Sequence, residues 1–175
     1  MNTRYRQINR LYHNQGGGGL ENRTRDAGPG LTVEQSARGV AVLDLERDGD
    51  LDVVVTNIDA TPTLLVNEGG NRAAWLSLDL RGVDSNRDAI GARVTLETPS
   101  GVQVRELNPF GSYLSQSAHA MHFGLGEAEG ATRVVLEWPS GRSEELHDLA
   151  AGRFYVITEG QGVTSSTGPG TMTSP

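Results

Sequence analysis

The sequence contains no cysteine, which excludes disulfides and thiolate metal sites together. No apolar run approaches the roughly 20 residues that a membrane helix needs. The opening MNTRYRQINR carries arginines with no apolar segment behind them, so no secretory leader is readable there. A basic stripe is missing too, since 15 basic residues face 22 acidic ones and the net charge is −7. That balance argues against nucleic acid and anionic membrane as partners. Hydrophobic residues are scarce at 36%, but the 23 glycines bring the sum close to the usual globular share. So many glycines mean many turns and few long helices. At 175 residues, the chain is long enough for one or two compact domains.

What is present is a series of short apolar segments bounded by Gly, Pro, Asn or Asp. GVAVLDL (39–45), LDVVVTN (51–57), PTLLVNEGG (62–70) and AWLSLDL (74–80) come first. ARVTLET (92–98), VQVREL (102–107), TRVVLEW (132–138) and RFYVITE (153–159) follow, with PSG turns at 99–101 and 139–141. This spacing of alternating segments predicts an all-β fold. Val53, Val54 and Val55 in a row predict a strand covered on both faces. Leu76, Leu78 and Leu80 fall on one face, and Glu144 to Ala150 are expected to make a helical turn. The stretch 160–175, GQGVTSSTGPGTMTSP, has too little apolar surface to order itself and reads as a disordered tail. LYHNQGG (11–17) is echoed by LLVNEGG (64–70), a displacement of 53 residues. Periods of that size belong to propeller blades and β arrays.

The densest chemistry lies in VLDLERDGDLDVVVTN (42–57), where Asp44, Glu46, Asp48, Asp50 and Asp52 occupy alternate positions. Carboxylates brought within about 4–6 Å repel by several kcal/mol at an effective dielectric near 20. A plain Asp/Gly turn has no reason to accept that repulsion, whereas a bound dication removes it. Calcium takes six to eight oxygens at about 2.3–2.6 Å, and a loop wrapping it offers alternate side chains with a glycine at the sharp turn. Counted from Asp44, the side-chain ligands are Asp44, Glu46, Asp48 and Asp52. Gly49 supplies the turn, and Asp50 offers its backbone carbonyl. An EF-hand does not fit, because position twelve is Val55 instead of Glu and the flanks are strands.

RGVAVLDLERDGDLDVVVTN resembles the FG-GAP/VCBS repeat, whose Asp-x-Asp-x-Asp-Gly-x-x-Asp loop binds calcium in β-propeller blades. RLYHNQGGGGLENRTRDAG is similar to the outer half of a preceding blade, with Leu20 where an aromatic is usual. Glu46 stands where that family has Asp or Asn. Further on, SNRDAIGARVTL, GSYLSQSAHAMHFGLGEA and RVVLEWPSGR resemble, in that order, the ASPIC/UnbV domain, which follows FG-GAP repeats in proteins related to cartilage acidic protein. The resemblance implies a partial β-propeller-type repeat segment over 1–72 and a β-sandwich-like ASPIC/UnbV domain over 73–159. It also implies blades, and a signal peptide, upstream of this chain. The expected protein is calcium-binding and non-catalytic, working in extracellular or periplasmic recognition or adhesion with a protein or glycan ligand. The alternative is an accessory or catalytic role in secondary-metabolite biosynthesis, after the UnbV-type relatives. An incomplete propeller is expected to leave open sheet edges and to self-associate through them.

Enzyme signatures are weak. His119 and His122 are oddly spaced for one face of a strand. GLGEAEG (124–130) is a turn, not a dinucleotide fingerprint, and no Gly-x-Ser-x-Gly elbow occurs. SYLSQS (112–117) is read as polar groups satisfying one another at a strand edge, with contact to a sugar or partner as the other reading. Trp75 and Trp138 are read as core residues.

Overall fold

The computed structural model describes residues 5–170, and those residues form an all-β structure. Strands β1 (Tyr12–Asn14) and β2 (Leu20–Asn22) make a two-stranded ribbon. Strands β3 (Ala37–Leu43), β4 (Asp52–Asn57) and β5 (Thr63–Leu65) form a three-stranded antiparallel sheet in that order. No closed propeller is formed by the described residues. Val55 is buried, while Val53 and Val54 are only half-buried.

The second unit begins with β6 (Ala74–Arg81), β7 (Arg93–Thr98), β8 (Gly101–Glu106) and β9 (Met121–Gly126). It continues with β10 (Gly130–Glu137), β11 (Ser143–Ala150), β12 (Arg153–Thr158) and β13 (Gly162–Thr167). One four-stranded sheet has the order β11-β10-β7-β8 and the other β13-β12-β6-β9. Period-two alternation explains the core. Leu76, Leu78 and Leu80 of β6 point inward with Phe123 of β9 and Ile157 of β12. Val94 and Leu96 of β7 and Val134 and Leu136 of β10 complete the cluster from the other sheet. Each such side chain contributes about 1.5–3 kcal/mol when fully buried. Trp138 joins this core. Trp75 is equally buried but stands on the opposite face of β6, under the acidic loop.

Two expectations are corrected. Glu144 to Ala150 are strand, not helical turn. The PSG turn lays them antiparallel on β10, with Leu136 opposite Glu144 and Ala131 opposite Leu149. Ladder pairing and burial of Leu149 outweigh the local helix preference of this stretch. The supposed tail is also partly ordered, because Gly162–Thr167 pairs with β12. Its order comes from backbone bonds and from polar contacts such as Arg153 Nε to Ser166 Oγ at 2.8 Å, which an argument from apolar content overlooks. Residues 171–175 lie outside the described residues.

One of the expected open edges is covered. The outward backbone groups of β3 are met by the 112–118 segment of the second unit. Ser115 Oγ donates to the Val40 carbonyl at 2.7 Å, and Ser117 Oγ accepts from Val42 N–H at 3.1 Å. Ala118 N–H donates to the Val42 carbonyl at 3.0 Å. The hydroxyls of SYLSQS therefore cap a neighbouring strand and do not merely pair with one another. At the other edge β5 pairs only with β4 among the described residues, and Leu64 and Val66 are exposed.

Candidate metal centre

Strand β3 ends at Leu43 and β4 begins at Asp52, so Asp44–Leu51 is the hairpin loop. Its fold is dictated by carboxylates accepting backbone N–H groups. Asp44 Oδ1 accepts from Asp48 at 3.1 Å and Oδ2 from Gly49 at 3.0 Å, which curls the chain around the first acid. Asp48 Oδ1 then accepts from Asp50 N–H at 3.1 Å. Gly49 sits at φ 99, and a Cβ there would lie 1.9 Å from Trp75 Cε2. Only glycine serves both the backbone conformation and the close approach.

The end of the loop is sewn to the NEGGN turn after β5. Asp50 Oδ2 accepts from Gly69 and Gly70 N–H at 3.0 and 3.1 Å. Asp52 is fully buried, with Oδ1 on Asn67 N–H and Oδ2 on Leu45 N–H, both at 2.9 Å. Asn71 Nδ2 donates to the Asp48 carbonyl at 3.1 Å. The glycine pair that closes LLVNEGG thus has a definite task, to present two adjacent amides to Asp50.

Charge is crowded here. Burial pushes the Asp44 carboxyl up, the Gly49 and Asp48 amides pull it down, and the Asp48 charge adds to the rise. Glu46, exposed on its outer side, is pushed up by partial loss of water and then by the charges of Asp52 and Asp48. The structure therefore places Asp44 beside Asp48 and Glu46 beside Asp52, and it turns the Asp50 side chain away into the Gly69–Gly70 turn. Among the described residues, no three Asp, Glu or His side chains are gathered at metal-holding distances. One observation fits a cation nonetheless. Asp50 Oδ1 is buried with no hydrogen-bond partner, a state that is costly for a carboxylate unless something positive or a water satisfies it.

His119 and His122 do not converge. His119 precedes β9, with Nε2 2.6 Å from Gln116 Nε2 and Nδ1 4.0 Å from Asp88. His122 lies in β9 and stacks on Trp75 at 5.8 Å between ring centroids. GLGEAEG ends β9, turns through Glu127–Glu129 and starts β10.

Comparison with known proteins adds to this geometry. Residues 82–164 match the family model described as ASPIC and UnbV. The chain carries an ASPIC/UnbV domain. That match takes in β7 to β12 and reaches into β13. The chain is also homologous to cartilage acidic protein 1, being 31% identical to the Homo sapiens protein over 137 residues. That alignment covers 75% of this chain and 20% of the relative. The Mus musculus protein is 31% identical over 134 residues, covering 69% of this chain and 20% of the relative. The Xenopus tropicalis protein is 33% identical over 120 residues, covering 65% and 18%. This chain therefore spans about a fifth of the length of these relatives.

The ASPIC/UnbV domain also holds a group that sequence reasoning passed over. Glu159, at the end of β12, is buried, and its Oε2 accepts from Val83, Asp84 and Ser85 N–H at 2.8 to 2.9 Å. Its Oε1 accepts from the hydroxyls of Ser85 and Ser140. Arg47 was passed over as well. Its guanidinium lies 4.4 Å from the Phe154 ring centroid and joins the loop to β12.

Proposed function

We propose that the chain is a calcium-stabilised, non-catalytic interaction module of the FG-GAP plus ASPIC/UnbV type, working in an extracellular or periplasmic setting. Its ligand is a protein or a glycan. The acidic loop acts as the joint between the repeat segment and the ASPIC/UnbV domain, and calcium fixes that joint. The observation carrying this reading is the position of the loop. Gly49 lies flat on Trp75, Arg47 covers Phe154, and the Arg47 carbonyl accepts from Gly170 N–H at 2.8 Å, so an ion organising the loop also organises the junction. Asp44, Glu46, Asp48 and Asp52 would supply carboxylate oxygens and Asp50 its carbonyl. The ion would offset both the burial and the neighbouring charge that push Asp44 and Glu46 up. The homology to cartilage acidic protein 1, a protein named for cartilage, supports the extracellular setting.

The test is a thermal melt in calcium and in EDTA. With a Kd near 0.1 mM, as extracellular sites have, about 1 mM calcium adds roughly 1.4 kcal/mol. That raises Tm by a few degrees for a chain of this size. Asp48→Ala and Asp52→Ala should abolish the increment. Superimposable melts of the unmodified protein in the two buffers would remove calcium from the account.

A further inference from the structure

A cleft of about 320 Å³ lies between the acidic loop and the outer face of the β9–β6–β12 strands. Arg47 and Leu51 of the loop form one wall, and Ser77, His122 and Phe154 form the sheet side. Arg105, near the end of β8, closes a third side. Two cations thus face a partly apolar space, and among the described residues neither has a carboxylate within 4.0 Å. Each guanidinium lies against an aromatic ring instead, Arg47 at 4.4 Å from Phe154 and Arg105 at 5.1 Å from Phe123.

Arg47 is unusual in two further respects. Its backbone has φ 55, the left-handed region that side-chain-bearing residues seldom adopt. Its Nε is buried without a hydrogen-bond partner. Strain and an orphaned donor on one residue persist where the surroundings hold it for a purpose. Two acids also line the cleft, Asp44 and Glu106. Asp44 accepts one amide on each oxygen, from Asp48 and Gly49, and Glu106 is exposed.

We propose that this cleft binds a small organic carboxylate, held by the guanidinium groups of Arg47 and Arg105 with Ser77 and His122 as further polar partners. The cleft's volume is at the low end of the roughly 300–1,000 Å³ of small-molecule sites, which favours one compact ligand over a peptide or glycan chain. Arginine is suited to the task because its planar fork matches a carboxylate. Burial, and then the Arg105 charge, push the His122 pKa down against an upward push from the Asp50 charge. The apolar surfaces of Leu51 and Phe154 would receive the body of the ligand.

The test is titration calorimetry of the full chain with sodium benzoate and sodium glucuronate, each against its methyl ester, in EDTA and again in calcium. At least one carboxylate should bind saturably, and its ester should bind at least about tenfold more weakly. Arg105→Gln, a change at an exposed position, should weaken the carboxylate by about tenfold, and Arg47→Gln by a similar factor. Circular dichroism verifies that the Arg105→Gln protein is folded. Saturable, ester-sensitive binding in either buffer upholds the site whether or not the loop takes calcium. The proposal is overturned if neither carboxylate binds by about 10 mM in either buffer, if the esters bind as well as the acids, or if Arg105→Gln leaves affinity unchanged.

Discussion

Replacing Glu159 by Gln isolates the value of one charge in a fixed frame. Burial alone would raise this carboxyl, but hydrogen bonds from Ser140, Ser85 and Val83 outweigh it and hold the pKa at about 2, against an ordinary 4.5. A folded-state pKa below the unfolded one means stability that is present above about pH 4.5 and lost as the pH falls towards 2. The difference amounts to about 3 kcal/mol at pH 7 and about 1.4 kcal/mol at pH 3. Gln keeps the shape. Its Oε1 can face the three amides of Val83, Asp84 and Ser85, and its Nε2 can donate to the two hydroxyls, so only the charge is lost. Urea unfolding of both proteins, followed by tryptophan fluorescence at pH 7, 4.5 and 3, reads the gap directly. It should stay near 3 kcal/mol down to pH 4.5 and roughly halve by pH 3. A gap under about 1 kcal/mol at pH 7, or one that does not narrow on acidification, would show that the carboxylate charge does not hold this loop.

Gly49→Ala should cost about 2–4 kcal/mol, because the new methyl collides with Trp75 and the backbone stays left-handed. An unchanged melt and tryptophan spectrum would contradict that contact. Ser115→Ala with Ser117→Ala uncovers the β3 edge, and light scattering should then detect stronger concentration-dependent association than in the parent protein. A chain of residues 73–170 should fold as a monomer, whereas 73–159 loses β13, exposes the β12 edge and melts lower. Equal melting of the two would mean that β13 contributes nothing.

Much of this architecture is legible in the sequence where side chains carry the signal. Leu76, Leu78 and Leu80 announce the inner face of β6, and the alternating acids announce the hairpin loop between β3 and β4. Legibility fails where the backbone or a distant partner decides. The strand GVTSST has almost no apolar content, yet β12 offers it an open ladder. EELHDLA has a helical composition, yet it pairs along the whole of β10. Glu159 looks like any acid at the end of a strand, because Ser85 and Ser140 meet it only after the sandwich has closed. The purpose of Asp50 was half legible. Its place in the loop is periodic, but its side chain answers to the glycines at 69 and 70.

The parallel pairing of β6 with β12 also sets a timetable. Leu76 lies beside Arg153 and Leu80 beside Ile157, so β6 finds one flank only after the chain has been made as far as β12. On a ribosome, β6 emerges early with three leucines and holds only its antiparallel place beside β9 until β12 leaves the exit tunnel. A sheet closed by such a distant pair folds slowly compared with one built from neighbouring hairpins. Nascent chains stalled before β12 would therefore display an unpaired β6 edge to whatever chaperone is at hand.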